Sequence, residues 1–303
     1  MNVLLLGSGG REVAIAKKLC ESNIMLYYAS SSSNFQLDEM CYEHINYTDI
    51  NKIIINCLEL KIDYVVIGSE KFLGEYADIL TRKGIKVIGP TKSFILESSK
   101  TYTRELIKNI NNSFNPKFYL NEMGDIDKNS FVIKPDGLTG GKGVKLYPDH
   151  FNNSDDAVNY INSLDNYLIE ERLYGEEFSL MAFCDGDTLK FMPIVQDYKR
   201  AYIDDKGPNT GSMGSVSNSD HKLFFLTDED IIKCQDLMNL TVYQMNNDSI
   251  YQGILYGSFM KTYDGQLKLI EYNCRFGDPE GINVLSLLKT PLHLIFKAII
   301  EKN

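Results

Sequence analysis

The sequence predicts a parallel α/β domain at the N-terminus, followed by an α+β region that carries a small lid. Short apolar runs at 2–6, 25–29, 64–67 and 86–88 alternate with helical stretches at 13–20, 49–60 and 74–83. This order of elements is typical of a parallel sheet with crossover helices. From Lys117 onward, short strands dominate instead. We therefore expect a domain boundary near residues 92–98. A single helix is predicted over residues 91–110.

Composition excludes several classes of protein. The 303 residues have a formal net charge of −10, with 44% hydrophobic and 24% charged residues. Such a chain is an ordinary globular protein, and its negative charge argues against a nucleic-acid surface or an anionic membrane. The apolar runs are too short to span a bilayer, and the N-terminus lacks the pattern of a signal peptide. Six cysteines without a CxxC pair and four histidines without ligand spacing predict reduced thiols, a cytoplasmic location and no zinc site.

A glycine turn follows the first predicted strand. Residues 7–12, GSGGRE, lead into a helix, so backbone N–H groups and a helix N-terminus would face an anion. The dinucleotide fingerprint would place its third glycine at position 12, which is Glu12. We therefore favour a phosphate-bearing small molecule over NAD. A turn that only packs helix on strand is an equal alternative at this stage.

A second glycine-rich stretch, residues 131–143, predicts a polyphosphate site. A short strand delivers Lys134, and a loop follows with Gly137, Gly140, Gly141, Lys142 and Gly143. Glycines let backbone N–H groups approach phosphate oxygens closely, and two lysines neutralise their charge. The loop is not a P-loop, because glycine stands after Lys142 where Ser or Thr would hold magnesium.

The strand predicted at 167–170 runs out into residues 171–179, a hinge that could offer backbone groups to an adenine edge. Glu177 could then accept both ribose hydroxyls. Solvated glutamates at a strand end are the alternative, and this stretch alone favours them. Two hairpins follow, with turns at 185–187 and 264–265, and a helix is predicted over 228–246. Residues 204–214 show neither strand nor helix period and predict a binding loop.

The end of the last predicted strand suggests a metal site. Residues two apart on a strand share a face, so Glu271, Asn273 and Arg275 should point the same way. Carboxylate and amide oxygens suit Mg²⁺, and Arg275 could steady charge on a transferred phosphoryl group. An exposed face with ordinary charge alternation is the weaker alternative, because the strand runs into another polar turn, residues 276–280.

Taken in order, GSGGRE, GLTGGKGV, IEERLYGEEFS and ExNxR resemble the motifs of an ATP-grasp ligase. Two further loops, GPNTGSMG at 207–214 and RFGDPE at 275–280, resemble signatures of the glycinamide ribonucleotide synthetase family, the phosphoribosylamine–glycine ligases. The similarity extends from residue 1 to about residue 295. It implies a Rossmann-like domain at 1–98 and an ATP-grasp domain at 99–303, with a mobile lid at about 115–180.

The resemblance also implies a reaction. ATP phosphorylates the carboxylate of glycine, and the amine of 5-phosphoribosylamine attacks the acyl phosphate, giving glycinamide ribonucleotide, ADP and phosphate in de novo purine synthesis. ATP and Mg²⁺, with Mn²⁺ as an alternative, are the implied cofactors. The implied partners are these small-molecule substrates, without nucleic acid or membrane.

Site residues carry over from the family motifs. The implied catalytic residues are Arg275, Lys134 and Asn273, and the implied metal ligands are Glu271 and Asn273. The implied ATP contacts are Lys100, Lys134, Gly140, Gly141, Lys142, Gly143, Glu170, Glu171, Leu173 and Glu177. The implied substrate contacts are Gly9, Gly10, Arg11, Asp197, Lys199, Arg200, Asn209, Thr210 and Gly211.

Departures from the family pattern leave alternatives open. Tyr198 stands where the family commonly has histidine, and GSMG at 211–214 replaces GGMG. These substrate-side changes motivate a second hypothesis, a ligase that joins a different amino acid to a different amine. A catalytically inactive nucleotide-binding relative is a third, which the intact phosphate and metal residues disfavour. Family members also continue with a further domain, which leaves four alternatives open: a truncated chain, a shorter natural form, a partner chain or self-association that replaces the domain, and a different substrate.

Overall fold

The computed structural model describes residues 1–47, 49–139, 143–203, 206–246 and 249–302, without the side chains of Pro208 and Asn209. Three main sheets organise it: an N-terminal parallel sheet, a lid sheet and a central antiparallel sheet. The predicted combination of α/β and α+β architecture is confirmed.

The N-terminal sheet has the strand order β3-β2-β1-β4-β5, with every neighbouring pair parallel. Its strands are β1 (Asn2–Leu6), β2 (Met25–Ser30), β3 (Glu43–Asn46), β4 (Tyr64–Ile67) and β5 (Val87–Ile88). The helices between them are α1 (Gly10–Cys20), α2 (Phe35–Met40), α3 (Ile50–Glu59) and α4 (Glu75–Arg82). Sequence reasoning missed α2 and β3, because β3 buries only Ile45 and presents no apolar run.

The single helix predicted over 91–110 is wrong. A 3₁₀ turn (Lys92–Phe94) and α5 (Ile95–Ser98) precede α6 (Lys100–Asn111). Ser99 separates the two α-helices in an extended conformation, and its hydroxyl accepts a 3.1 Å hydrogen bond from the Tyr102 N–H as the N-cap of α6. A further 3₁₀ turn, Asn112–Phe114, follows α6.

The lid sheet has the order β6-β9-β7-β8 and is antiparallel. Its elements are β6 (Phe118–Leu120), β7 (Phe131–Pro135), β8 (Lys145–Tyr147), α7 (Ser154–Asn162) and β9 (Tyr167–Glu171). The sheet ends at Glu171, because residues from Gly175 onward pair with the central sheet. The lid sheet therefore ends before β10 begins at Gly175.

The central sheet has the antiparallel order β11-β10-β16-β17. Its strands are β10 (Gly175–Cys184), β11 (Leu189–Phe191), β16 (Gly253–Thr262) and β17 (Leu267–Asn273), and its helices are α8 (Asp228–Met245), α9 (Glu280–Leu287) and α10 (Leu292–Glu301). Four short strands form two small ribbons beside it: β12 (Gln196–Asp197) with β15 (Ser215–Val216), and β13 (Arg200–Tyr202) with β14 (Lys206–Asn209). The prediction that 204–214 contains no strand is wrong, since β14 pairs with β13.

Two large buried clusters join the N-terminal sheet to the central sheet. One contains Leu4 and Leu255, and the other contains Val3 and Ile254. Alternate residues of β1 therefore face different cores that continue into the central sheet, which fixes the two sheets against each other. Within the described ranges, no single helix is long and apolar enough to cross a membrane; α9 and α10 approach that composition only as a pair bent by 101°.

Candidate active site

The end of β17 presents three polar side chains on one face. Tyr272 and Cys274 are buried, so Glu271, Asn273 and Arg275 point the other way. The Asn273 amide donates to Glu271 Oε1 at 3.3 Å, and Arg275 Nη2 donates to Asn273 Oδ1 at 3.4 Å. The predicted common face is confirmed, and the hydrogen bonds order the three side chains relative to one another.

Two carboxylates hold Arg275 from behind. Its Nη2 lies 3.3 Å from Glu97 Oε1, and its Nε lies 3.1 Å from Glu70 Oε2. Burial would lower the pKa of Arg275, but Glu97, Glu70 and Glu271 outweigh it and raise that pKa. Burial would likewise raise the pKa of Glu70, yet Arg275 and Arg11 hold it below its usual value. The guanidinium is therefore charged and fixed in direction.

Glu97 also holds the strand end through the backbone. Its Oε2 accepts the Cys274 N–H at 2.7 Å, and the residue is 9% exposed. Burial raises the pKa of this carboxyl despite the nearby Arg275. The segment α5, which the sequence did not separate from α6, thus anchors Cys274 and Arg275.

Lys134 reaches the site from lid strand β7. Its Nζ lies 2.7 Å from Glu170 Oε2 and donates to the Ile270 carbonyl at 3.3 Å. Glu170 is 2% exposed; burial would raise its pKa, but Arg104 and Lys134 outweigh it and lower that pKa to about 2. The Glu170 carboxylate, predicted to bind the nucleotide, is therefore engaged with two cations of the protein.

Lys100 lies at the start of α6, beside the lid. Its Nζ donates to the Gly137 carbonyl at 2.7 Å, while its backbone N–H donates to Asp136 Oδ1 at 2.7 Å. Burial and the neighbouring Lys134 lower the pKa of Lys100, and Glu271 acts in the opposite direction. Both lysines and the Glu271 carboxylate therefore lie near one another between the lid and the central sheet, in the region that we call the cleft.

The first glycine of the glycine loop, Gly137, lies beside Lys100. Gly140, Gly141 and Lys142 lie outside the described residues. At the end of the loop, the Tyr160 hydroxyl of α7 donates to the Gly143 carbonyl at 2.6 Å.

The predicted hinge runs from β9 to β10. Glu171 Oε1 accepts the Lys117 N–H at 2.8 Å, and Leu173 is half-buried in the connection. Glu177 on β10 pairs with Lys199, whose Nζ lies 3.2 Å from its Oε2. Partial burial would lower the pKa of Lys199, but Glu177 and Glu271 raise it. Lys199 is therefore held as a cation beside Glu177.

The two small ribbons bring most of the predicted substrate residues together. Thr210 donates to the Lys199 carbonyl through its backbone N–H at 2.7 Å and its hydroxyl at 2.9 Å, and Gly211 follows it. Arg200 Nη1 donates to the Gly207 carbonyl at 2.8 Å, and Ser212 donates to Asp197 Oδ1 at 2.5 Å. Partial burial raises the pKa of Asp197, with Ser212 opposing it. The side chain of Asn209 lies outside the described residues.

The GSGGRE turn meets the RFGDPE loop across the domain junction. The Gly9 N–H donates to Glu12 Oε2 at 2.5 Å, and a Cβ built on Gly10 would lie 3.9 Å from Asp278 Oδ1. Arg11 is 7% exposed, and its Nη1 donates to the Phe276 carbonyl at 2.9 Å. The Arg11 side chain, predicted to bind substrate, therefore joins the two domains, while Gly10 borders the same junction.

Three residues of this site were missed from the sequence: Glu70, Glu97 and Arg104. A signal existed for Arg104, because it falls on the buried face of α6 beside Thr103 and Ile107. A charged residue on a buried helix face needs a partner, so it marks an ion pair. No comparable signal marks Glu70, which follows β4 in a half-exposed 3₁₀ turn (Glu70–Phe72).

Lys134 of the lid and Lys100 of α6 lie near a strand end that bears a carboxylate, an amide and a guanidinium, an arrangement that suits an ATP-dependent ligase of the ATP-grasp class. Family models for the phosphoribosylglycinamide synthetase N domain and ATP-grasp (A) domain match residues 1–95 and 96–281. The chain therefore belongs to the phosphoribosylglycinamide synthetase family.

Individual relatives agree. The phosphoribosylamine–glycine ligase of Methanocella arvoryzae is 41% identical over 99% of this chain and 73% of its own length, and that of Methanocaldococcus jannaschii is 39% identical over 100% and 73%. The crystal structure of the Thermotoga maritima phosphoribosylamine–glycine ligase superposes with a TM-score of 0.79 at 27% identity, covering 100% of this chain and 76% of that one. An N5-carboxyaminoimidazole synthetase from Staphylococcus aureus complexed with ADP shares the fold, with a TM-score of 0.69 at 16% identity over 91% of this chain and 70% of that one.

Proposed function

We propose that this chain ligates glycine to 5-phosphoribosylamine at the expense of ATP, giving glycinamide ribonucleotide, ADP and phosphate. One observation carries the proposal: in a member of this family, Lys100, Lys134, Glu271, Asn273 and Arg275 converge in a single cleft. Cations for a polyphosphate and oxygens for a metal are together what phosphoryl transfer to a carboxylate requires.

We assign the nucleotide to the cleft between the lid and the central sheet. Lys100 and Lys134 neutralise its phosphates, to which the glycine loop of residues 137–143 contributes backbone N–H groups. The connection at Glu171 and Leu173 borders the adenine, and Glu177 accepts from the ribose hydroxyls. Glu170 acts from behind by holding Lys134.

Glu271 and Asn273 would hold Mg²⁺. Among the described residues, no group of three or more His, Cys, Asp or Glu side chains could hold a metal ion. One carboxylate and one amide oxygen nevertheless fit Mg²⁺, which usually takes few protein ligands and completes its shell with water and substrate phosphates. When bound, the ion would neutralise charge on the nucleotide phosphates; Mn²⁺ has the same preference for oxygen.

The chemistry proceeds in two displacements. A carboxylate oxygen of glycine attacks the γ-phosphorus of ATP, and the bond to ADP breaks. The amine nitrogen of phosphoribosylamine then attacks the carbonyl carbon, phosphate leaves and the nitrogen loses a proton. Arg275 steadies the charge on the transferred group, because Glu97 and Glu70 fix its direction. The lid excludes water, which would otherwise hydrolyse the acyl phosphate.

We place the phosphoribosylamine beside the GSGGRE turn and the two ribbons. The residues assigned to it are Gly9, Gly10, Asp197, Lys199, Arg200, Asn209, Thr210 and Gly211. Arg11 contributes by holding the turn against the Phe276 carbonyl. We further propose a cytoplasmic location and domains at 1–98 and 99–303.

The test is ADP release with MgATP, comparing glycine plus freshly generated phosphoribosylamine against mixtures that lack either one. We expect turnover only when both are present, and glycinamide ribonucleotide as the product. If another amino acid or another amine supported ADP release in place of these two, the result would instead favour a ligase of different specificity. Nucleotide binding without ligation of any pair would contradict the proposed activity.

A further inference from the structure

Arg104 lies behind the cleft, where α6 passes between the lid and the central sheet. It is 2% exposed, and its guanidinium makes four hydrogen bonds to protein groups. Nε and Nη2 donate to the two oxygens of Glu170 at 2.7 and 3.1 Å. Nη1 and Nη2 donate to the carbonyls of Leu269 and Ile270 at 2.9 and 2.8 Å. One side chain therefore joins lid strand β9 to central strand β17.

The contact on β17 is a β-bulge. Ser258 of β16 pairs with Glu271, but the next residue, Phe259, pairs with Leu269. Ile270 is therefore the additional residue, and its carbonyl accepts from both Arg104 and Lys134. The residue that follows the bulge is Glu271, the assigned metal ligand. The bulge thus lets Lys134 of the lid and Arg104 of α6 donate to one carbonyl oxygen, on the residue that precedes Glu271.

Lys134 depends on this arrangement for its direction. A lysine side chain has many rotamers, and a carboxylate that could itself rotate would hold it poorly. Arg104 grips both oxygens of Glu170, which leaves Oε2 in place for the Lys134 ammonium at 2.7 Å. Burial of all three side chains excludes the water that would otherwise compete for these bonds.

We propose that Arg104 is a positioning residue for the phosphates of ATP. It acts through Glu170 on Lys134 and through the bulge carbonyl on the strand that bears Glu271, without touching the nucleotide itself. The inference deepens the proposed function and rests on the assignment of ATP to this cleft. It predicts that Arg104 contributes to the affinity for phosphate groups and not to the affinity for adenosine.

The test compares adenosine, ADP and ATP binding, with Mg²⁺ present, in the wild-type chain and in Arg104→Met, by calorimetry. We expect Arg104→Met to weaken ATP and ADP binding about 10- to 100-fold, the usual cost of losing a residue that orients a ligating group. Adenosine affinity should stay within about twofold, since only the Lys134 end of the cleft is disturbed. Arg104→Lys should recover part of the loss, because an ammonium keeps the charge but lacks the planar fork that spans both Glu170 oxygens.

Arg82→Met is the matched control. Arg82 lies on α4, its side chain is 71% exposed and it pairs only with Asp78 among the described contacts, so all three affinities should be unchanged. If Arg104→Met does not fold, Glu170→Gln disturbs the same Lys134 contact with little change of shape and should show the same selective loss.

Equal weakening of adenosine and ATP in the folded variants would overturn the proposal and leave Arg104 a purely structural residue. Unchanged ATP affinity would overturn it as well. Binding is measured without glycine or amine, so a failure of the proposed ligation in the wild-type chain leaves this test intact.

Discussion

The two sides of the cleft are built differently. The end of β17 belongs to the large cores, with Tyr272 and Cys274 buried beneath it and Glu97, Glu70 and Arg104 bonded to it. The lid sheet has a small core of its own, which among the described residues comprises Ile126, Phe131, Ile133 and Ile169. Elements with few buried contacts open at lower free-energy cost than core strands. We infer from this difference that the end of β17 holds its charged side chains in fixed positions and that the lid is the side that moves.

This division suits the proposed chemistry. Metal ligands and a phosphoryl-stabilising guanidinium must keep their geometry through the reaction, so they gain from a rigid strand. A cover that admits two substrates and excludes water must open and close. The junction between the two sides is the buried group formed by Arg104, Glu170 and Lys134, where a cation of the lid is held against the fixed side.

The largest effect is expected on the fixed side. Glu271→Gln removes the charge of the assigned metal ligand but keeps its size, so turnover should fall more than about 100-fold, beyond the cost of losing an outer partner of a ligand. The melting temperature should change by no more than about 2 °C, because a half-exposed isosteric change is worth about 0.5 kcal/mol or less. Steady-state ADP release and thermal unfolding measure both.

Glu105→Gln is the control for that substitution, since Glu105 is half-exposed on α6 and pairs with Lys108. Its turnover should equal that of the wild-type chain. Retained turnover in Glu271→Gln would remove the metal assignment and with it the claim that β17 is the catalytic side.

Sequence reasoning reached the β17 site because its information is local. Alternation at 271, 273 and 275 follows from strand geometry, and the parallel sheet follows from buried apolar runs. The partners of these residues were not local: Glu97 lies 178 positions before Arg275, and Arg104 lies 66 before Glu170. Nothing in a short window tells which distant carboxylate will pair with a buried guanidinium. The break at Ser99 escaped for a related reason, since its hydroxyl also contacts Asp136 of the lid.

A pH series should separate the carboxylate at the junction from the one on the fixed side. The folded-state pKa of Glu170, about 2, lies below the unfolded value of 4.5, so its stabilising contribution is complete above that value and is lost as pH falls towards 2. The difference in unfolding free energy between the wild-type chain and Glu170→Gln should therefore be about 3–5 kcal/mol at neutral pH and shrink in acid.

Glu97 should behave with the opposite sign. Burial raises the pKa of Glu97 in the folded chain, so the folded chain keeps this proton at pH values above the pKa of Glu97 in the unfolded chain. The contribution of Glu97 to the free energy of unfolding therefore falls as the pH rises from the unfolded pKa through the folded one. Denaturant unfolding of Glu97→Gln and Glu170→Gln between pH 3 and pH 7, each referred to the wild-type chain, compares the two. If the unfolding free energies of both variants, each relative to the wild-type chain, changed with pH in the same way, the distinction would be contradicted. Glu170, whose burial is outweighed by two cations, would then not differ from Glu97, whose burial is not outweighed.

The smallest effect is expected on the lid. Tyr160→Phe removes the hydroxyl that donates to the Gly143 carbonyl at 2.6 Å, a bond worth about 0.5–1.5 kcal/mol. If the lid only closes over the nucleotide, that loss should raise KM for ATP by about 2- to 10-fold and leave kcat within about twofold. Tyr243→Phe, on the exposed face of α8, should change neither constant. A fall in kcat as large as that of Glu271→Gln would mean that the lid also orders the reacting groups, and the division between a fixed side and a closing side would no longer hold.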